Sequence, residues 1–140
     1  MIAEVQARLK AHATALQDVQ VAEDLTALKE GVAPRHGTAF VIPFREEGDD
    51  EALISGASRQ EMTVQILVAF ITRRHDDSRG AKKVATWDEL RSSIEGALFG
   101  WQRSPDTTPF TLAAARSAPF GNNASVYVMT WQTNRYLEAQ

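Results

Sequence analysis

Three clusters in this sequence carry side chains able to do chemistry. His75, Asp76 and Asp77 stand together, and an imidazole beside carboxylates is the material of a metal centre or an acid–base pair. Neighbouring residues on an extended chain point to opposite faces, so these three converge only in a special loop. A metal centre also takes three or four ligands with a supporting shell. The other histidines, His12 and His36, lie far off in the chain. The cluster reads as a solvated polar loop. The second cluster is "REEGDDE", residues 45–51, with Glu46, Glu47, Asp49 and Asp50. It offers oxygen ligands to a hard cation but lacks the alternating ligands and closing glutamate of a calcium loop. It reads as a solvated acidic turn. The third is basic: Arg73, Arg74, Arg79, Lys82 and Lys83, with Asp76 and Asp77 inside it. Such a patch serves either as a contact for phosphate or an acidic partner, or as a charged link between a strand and a helix. No aromatic residues are interleaved with it, so stacking on single-stranded nucleic acid is not expected.

Covalent chemistry has little to work with. The 140-residue chain has no cysteine, which removes disulfides, thiolate metal sites and thiol nucleophiles. It has no G-x-S-x-G and no glycine loop to cradle phosphate. Paired carboxylates need a pocket and a shifted pKa to act as acid and base, and neither is legible here. No catalytic residue, metal or cofactor is expected, and the chain does not read as an enzyme.

Size and charge narrow the classes further. A chain of 140 residues suits one domain, 1–140, with a core of its own. Hydrophobic residues make up 44% and charged residues 24%, ordinary for a globular protein. The formal net charge is −3, whereas a domain that binds nucleic acid by neutralising phosphate is usually basic. The longest apolar run, "ILVAF", is far too short to cross a bilayer. The opening "MIAEVQARLK" carries Glu4 and no apolar core of a signal peptide. A soluble protein made in the cytoplasm, with no membrane partner, is expected.

The elements that must position these clusters follow from periodicity. Ile2, Val5, Leu9, Ala13 and Leu16 recur at spacings of three and four, the stripe of an amphipathic helix. Val19 and Val21 alternate briefly, as a short extended link. "AEDLTALKEG" reads as a second short helix, with Asp24 as its N-cap and Gly31 just past its end. "GTAFVIPF", residues 37–44, reads as a strand with Pro43 at its end or on an edge. "MTVQILVAFITRR", residues 62–74, is apolar on both of its alternating faces. It reads as a central strand covered on both sides, or on one side by a neighbouring subunit. "TWDELRSSIEGALFGW" opens on a capping box, Thr86 and Glu89, and places Trp87, Leu90, Ile94, Leu98 and Trp101 on one face. Gly100 ends that helix, and Trp101 folds back as the apolar contact of the cap. Phe110–Arg116 and Ala124–Tyr136 read as an antiparallel hairpin closed by "PFGNNA". The expected fold is α+β: a mainly antiparallel sheet of about four strands, with an N-terminal helix and a central helix packed on it.

This arrangement resembles a known family. The long strand ends in Arg73-Arg74. "DDSRGAKK" follows, then the helix "TWDELRSSIEGALFGWQ", a proline loop, "PFTLAAAR" and the closing strand "SVYVMTWQTNRYL". The helix core D-x-x-R-x-x-x-x-x-A-L-x-G-W, here Asp88, Arg91, Ala97, Leu98, Gly100 and Trp101, is a packing signature. Together they resemble the tail terminator and minor tail proteins of long-tailed bacteriophages, from about residue 60 to the C-terminus. Before residue 60 the likeness is an amphipathic helix followed by a strand. The resemblance implies a structural virion protein of the tail, assembled in the host cytoplasm. It implies a homo-oligomeric ring, a hexamer, that caps the tail tube, stops its polymerisation and provides the surface for head–tail joining. The implied partners are other copies of the chain, the tail tube protein and head–tail connector proteins. DNA passes through such a ring without sequence-specific binding. The alternatives are a head–tail completion or connector protein, or another α+β interaction module. The family has no catalytic residues to carry over. The two charged stretches, Arg73, Arg74, Arg79, Lys82 and Lys83 with Glu46, Glu47, Asp49 and Asp50, are the expected contact surface.

Overall fold

The computed structural model describes residues 1–30, 33–49, 58–73, 85–121 and 123–139. Helix α1 spans Ile2–His12 and buries Val5 and Leu9 completely. Strand β1 is Asp18–Val21, and α2 is the single turn Ala27–Glu30. Strands β2, Thr38–Gly48, and β3, Arg59–Arg73, follow. Helix α3 is Trp87–Leu98, and the chain closes with β4, Thr111–Pro119, and β5, Ala124–Glu138.

The five strands form one sheet in the order β1-β2-β3-β5-β4. β2, β3, β5 and β4 pair antiparallel, while β1 lies parallel to β2 from Asp18↔Thr38 to Val21↔Val41. The expected sheet of about four antiparallel strands is therefore five-stranded and mixed. The extra strand is the segment read as a link. It has four residues and a single buried one, Val19, too few for periodicity to register. A second correction concerns residues 45–48. They are no turn: β2 runs on through Arg45, Glu46 and Glu47 to Gly48, with a bulge between Pro43 and Arg45.

The two faces of β3 divide the core as its sequence requires. Val64, Ile66, Val68 and Phe70 pack with Val41, Met129 and Trp131 beneath Val5 and Leu9 of α1 and Leu90, Ile94 and Leu98 of α3. Leu67, Ala69 and Ile71 face the other way with Phe40, Ile42, Val126 and Val128. Leu28 of α2 joins this second cluster, and Leu25 and Phe120 pack against it. Asp24 caps α2 as expected, its Oδ1 accepting from the Ala27 N–H at 2.8 Å.

Helix α3 starts and stops as its sequence predicts. Thr86 Oγ1 accepts from the Glu89 N–H at 3.2 Å, satisfying one of the free donors of the first turn. At the other end Gly100 takes φ +77°, and the Trp101 N–H donates to the Leu98 carbonyl at 3.0 Å. Trp101 is half-buried and stacks on Phe110, with ring centroids 5.6 Å apart and planes 9° apart. The Arg8 guanidinium sits 5.4 Å from the Trp101 ring, and its Nε donates to the Ala97 carbonyl at 2.9 Å. Trp101 thus ties the end of α3 to α1 and to the approach of β4.

Candidate assembly surface

Beyond Val64 the sheet outruns its apolar core. β2 carries only exposed side chains from Pro43 to Glu47, and β3 from Arg59 to Thr63 buries none fully. Backbone pairing continues regardless, from Arg45↔Gln65 to Gly48↔Met62 and from Arg59↔Glu138 to Val64↔Thr133. Side-chain pairs between strands replace apolar packing. Arg135 reaches across β3 to Glu46, with Nε–Oε1 2.7 Å and Nη2–Oε2 3.2 Å, the two-pronged geometry that favours arginine. Gln65 donates to Gln132 at 2.9 Å, Asn134 donates to Glu61, and Arg59 lies 4.0 Å from the ring of Tyr136. The result is a three-stranded arm whose surface is mostly polar, with Phe44 and Leu137 exposed on it.

The acidic residues singled out in the sequence lie on this arm. Glu46 holds Arg135, and that hydrogen bond keeps the Glu46 carboxyl below its ordinary range. The same contact raises Arg135. Glu47 pairs with Arg45 at 2.6 Å on the opposite face. The Asp49 N–H donates to the Glu61 carbonyl at 2.9 Å. Asp50 lies outside the described residues.

Of the basic cluster, Arg73 is described, and Arg74, Arg79, Lys82 and Lys83 lie outside the described residues, as do His75, Asp76 and Asp77. Arg73 ends β3, at the opposite end of the sheet from the arm. Its Nε donates to the Pro34 carbonyl at 2.8 Å. Its backbone N–H donates to His36 Nδ1 at 2.9 Å, while His36 Nε2 lies 2.7 Å from the Ala85 carbonyl. An Nδ1 that accepts fixes the proton on Nε2, which then donates to Ala85. His36 thereby clamps together the two residues flanking segment 74–84. No spacing pattern marks this clamp, because His36 is 37 residues from Arg73 and 49 from Ala85.

Two grooves flank β2. One, of about 790 Å³, lies by β1 and α2 and is lined by Asp18, Gln20, Glu23, Leu28, Arg35 and Phe40 among others. The other, of about 630 Å³, lies beneath the arm, with Met1, Phe44, Glu46, Arg103 and Arg135 on its walls. The titratable groups in the second are already committed to ion pairs, Glu46 to Arg135 and Arg103 to Glu4 at 3.1 Å. Among the described residues no three His, Asp or Glu side chains converge to hold a metal ion. No described helix is long and apolar enough to cross a membrane.

The arrangement defines a class: an α+β protein whose most exposed features are strand edges and paired charges. A family model for the phage tail terminator protein matches residues 2–139, and the chain belongs to that family. It is a structural protein of the bacteriophage tail and a component of the virion. A chain from the "Virion of native gene transfer agent (GTA) particle" shares the fold, with TM-score 0.61 and 13% identity over 98% of this chain and 95% of that one. No curated protein sequence matches the chain.

Proposed function

We propose that residues 1–140 form one tail-terminator domain and that six copies close into a ring on the end of the tail tube. The observation that carries this reading is the family match across 2–139, which leaves almost no part of the chain outside it. The ring halts tube growth and presents the surface to which head–tail connector proteins join. It acts by shape: the partners are other copies of the chain, the tube protein and the connector, and no bond is made or broken. The net charge of −3 suits a channel through which DNA slides without being held.

The sheet supports this reading because its two lateral edges differ. One ends in β1 and the free half of β2, and the other in β4. Unlike edges favour head-to-tail contacts, and such contacts close into rings when the rotation allows. The arm's Glu46, Glu47 and Asp49, with the segment flanked by Arg73, form the rim of these contacts.

Light scattering coupled to size-exclusion chromatography tests the ring. A mass of six chains, alone or on addition of tail tubes, is expected, with annular particles in negative stain. A chain that stays monomeric under both conditions and leaves tubes uncapped contradicts the proposal. Binding to an isolated head connector without any affinity for tubes would favour a head–tail completion protein instead.

A further inference from the structure

The two edges of the sheet are finished in different ways. At β1 the outward backbone groups of Val19 are both taken by side chains. Its N–H donates to Asp18 Oδ1 at 2.8 Å, and its carbonyl accepts from Gln6 Nε2 at 3.0 Å. With only four residues, β1 is a blunted edge of the kind that resists adding a strand. At β4 nothing of the sort occurs. All of its nine residues except Ala118 are exposed, and among the described residues no side chain bonds its outward N–H or carbonyl groups. Its one irregularity lies between Leu112 and Ala114, and its proline, Pro119, comes at the end. From Ala114 to Ala118 the only charge is Arg116, which has no ion pair among the described residues. A long open edge of small side chains is a template for strand addition.

A second free edge faces the other way. β1 stops level with Val41, while β2 continues to Gly48. From Pro43 to Gly48, β2 therefore has β3 on one side and no described strand on the other. β4 runs opposite in sense to β2, since each of the steps β2–β3, β3–β5 and β5–β4 is antiparallel. Arg116 lies level with Ala69 of β3 and Glu47 with Thr63, six residues or about 20 Å apart along the strands. The rotation that brings β4 to the outer half of β2 therefore has its axis inclined to the strands, as in a barrel. At that inclination each strand's sense is still preserved. Consequently β4 of one copy meets β2 of the next as an antiparallel pair. A two-fold axis would instead place β4 against β4 and stop at a dimer.

From these edges we infer that the ring is closed by strand addition: β4 of one copy pairs antiparallel with the Pro43–Gly48 half of β2 in the next. This rests on the ring reading above. Charge and face set the register. Arg116 pairs with Val128 and Glu47 with Thr63, so both side chains project from the same face of the sheet as Leu67. Setting Arg116 opposite Glu47 puts Ser117 opposite Glu46 and Pro119 opposite Phe44. It thus lays Phe44, the bulge residue that is 54% exposed, beside Phe120 of the neighbour. The acidic stretch of β2 supplies the ion-pair partner that Arg116 lacks among the described residues of its own subunit.

The absence of cysteine makes the test clean. Arg116→Cys and Glu47→Cys are combined in one chain, and Ser117→Cys with Glu46→Cys in another. Within a subunit each pair is separated by three strand spacings across the sheet, about 14 Å, and by six residues along it, about 20 Å, beyond the reach of a disulfide. Directly opposed residues on paired strands lie within that reach. After mild oxidation, both double variants are expected to give a denaturing-gel ladder of multimers ending at the closed ring, while each single variant stays monomeric. Circular dichroism checks that each variant folds, and light scattering reports its mass before oxidation. A ring by mass with no ladder from either pair would overturn the inference and leave the ring standing. A dimer from Arg116→Cys alone would overturn it in favour of two-fold β4 pairing. Monomers throughout, even with tail tubes present, would remove the ring and this contact together.

Discussion

Glu46 and Arg135 show how a single ion pair substitutes for a core in the arm. Both are partly exposed, with side chains at 42% and 33%, so the pair is weakened by solvent and contributes modestly. Its pH dependence has a definite sign. The folded-state pKa of Glu46 lies below its ordinary value, chiefly through the Arg135 hydrogen bond. The stabilisation is therefore complete above the ordinary carboxylate range and is lost as pH falls through the lowered pKa. Glu4, lowered mainly by Arg103, behaves alike at the N-terminus. In Arg135→Met the acid-side loss of thermal stability should be shallower than in the parent, as read by unfolding midpoints from neutral pH downward. A slope equal to the parent's would remove the pair from the account. The residues of the arm were visible in the sequence as charges, but their arrangement was not. Glu46 finds Arg135 across 89 positions, and His36 finds Arg73 across 37. Only the register of β3 with its neighbours brings such residues together.

Helix α3 is the element that its own sequence describes most fully. Its stripe, its capping threonine and its terminating glycine are all local signals, and they appear where the pattern puts them, except that Trp87 at the head of the stripe is 39% exposed. Leu98 is fully buried between α1 and the sheet, so Leu98→Ala should destabilise by about 2–5 kcal/mol. Thr86→Ala should cost about 1 kcal/mol through loss of the cap. Gly100→Ala meets no neighbouring atom within 4 Å, so its cost is conformational, from φ +77°. About 1–2 kcal/mol is expected there. Denaturant midpoints of the three variants check the set, and a Leu98→Ala protein as stable as the parent would sink the assigned core face. The strands were legible in proportion to their burial. β3, apolar on both faces, was plain from its sequence. β1 has one buried side chain, and the outer half of β2 has none. Backbone pairing alone makes these strands, and hydrophobic periodicity does not report it.

At the scale of the whole molecule, function is a matter of which surfaces are complementary. A tube grows because each ring of subunits presents the face that the next ring needs. On the function proposed above, the chain seats on the last ring and offers a different face, which removes that complementarity and stops growth without any chemistry. Contacts that persist in an assembly bury roughly 1,000 Å² or more, well beyond what one six-residue strand pairing supplies. Particles assembled without this chain should therefore carry tails of irregular and excessive length that fail to join filled heads. Supplying the chain in trans should restore uniform length. Substitutions that break the subunit contact but spare the fold should behave like the deletion, because a lone subunit cannot block every growth site around a tube end. Electron microscopy of the deletion lysate measures both tail length and joining, and normal-length tails attached to filled heads would show that termination is not this protein's task.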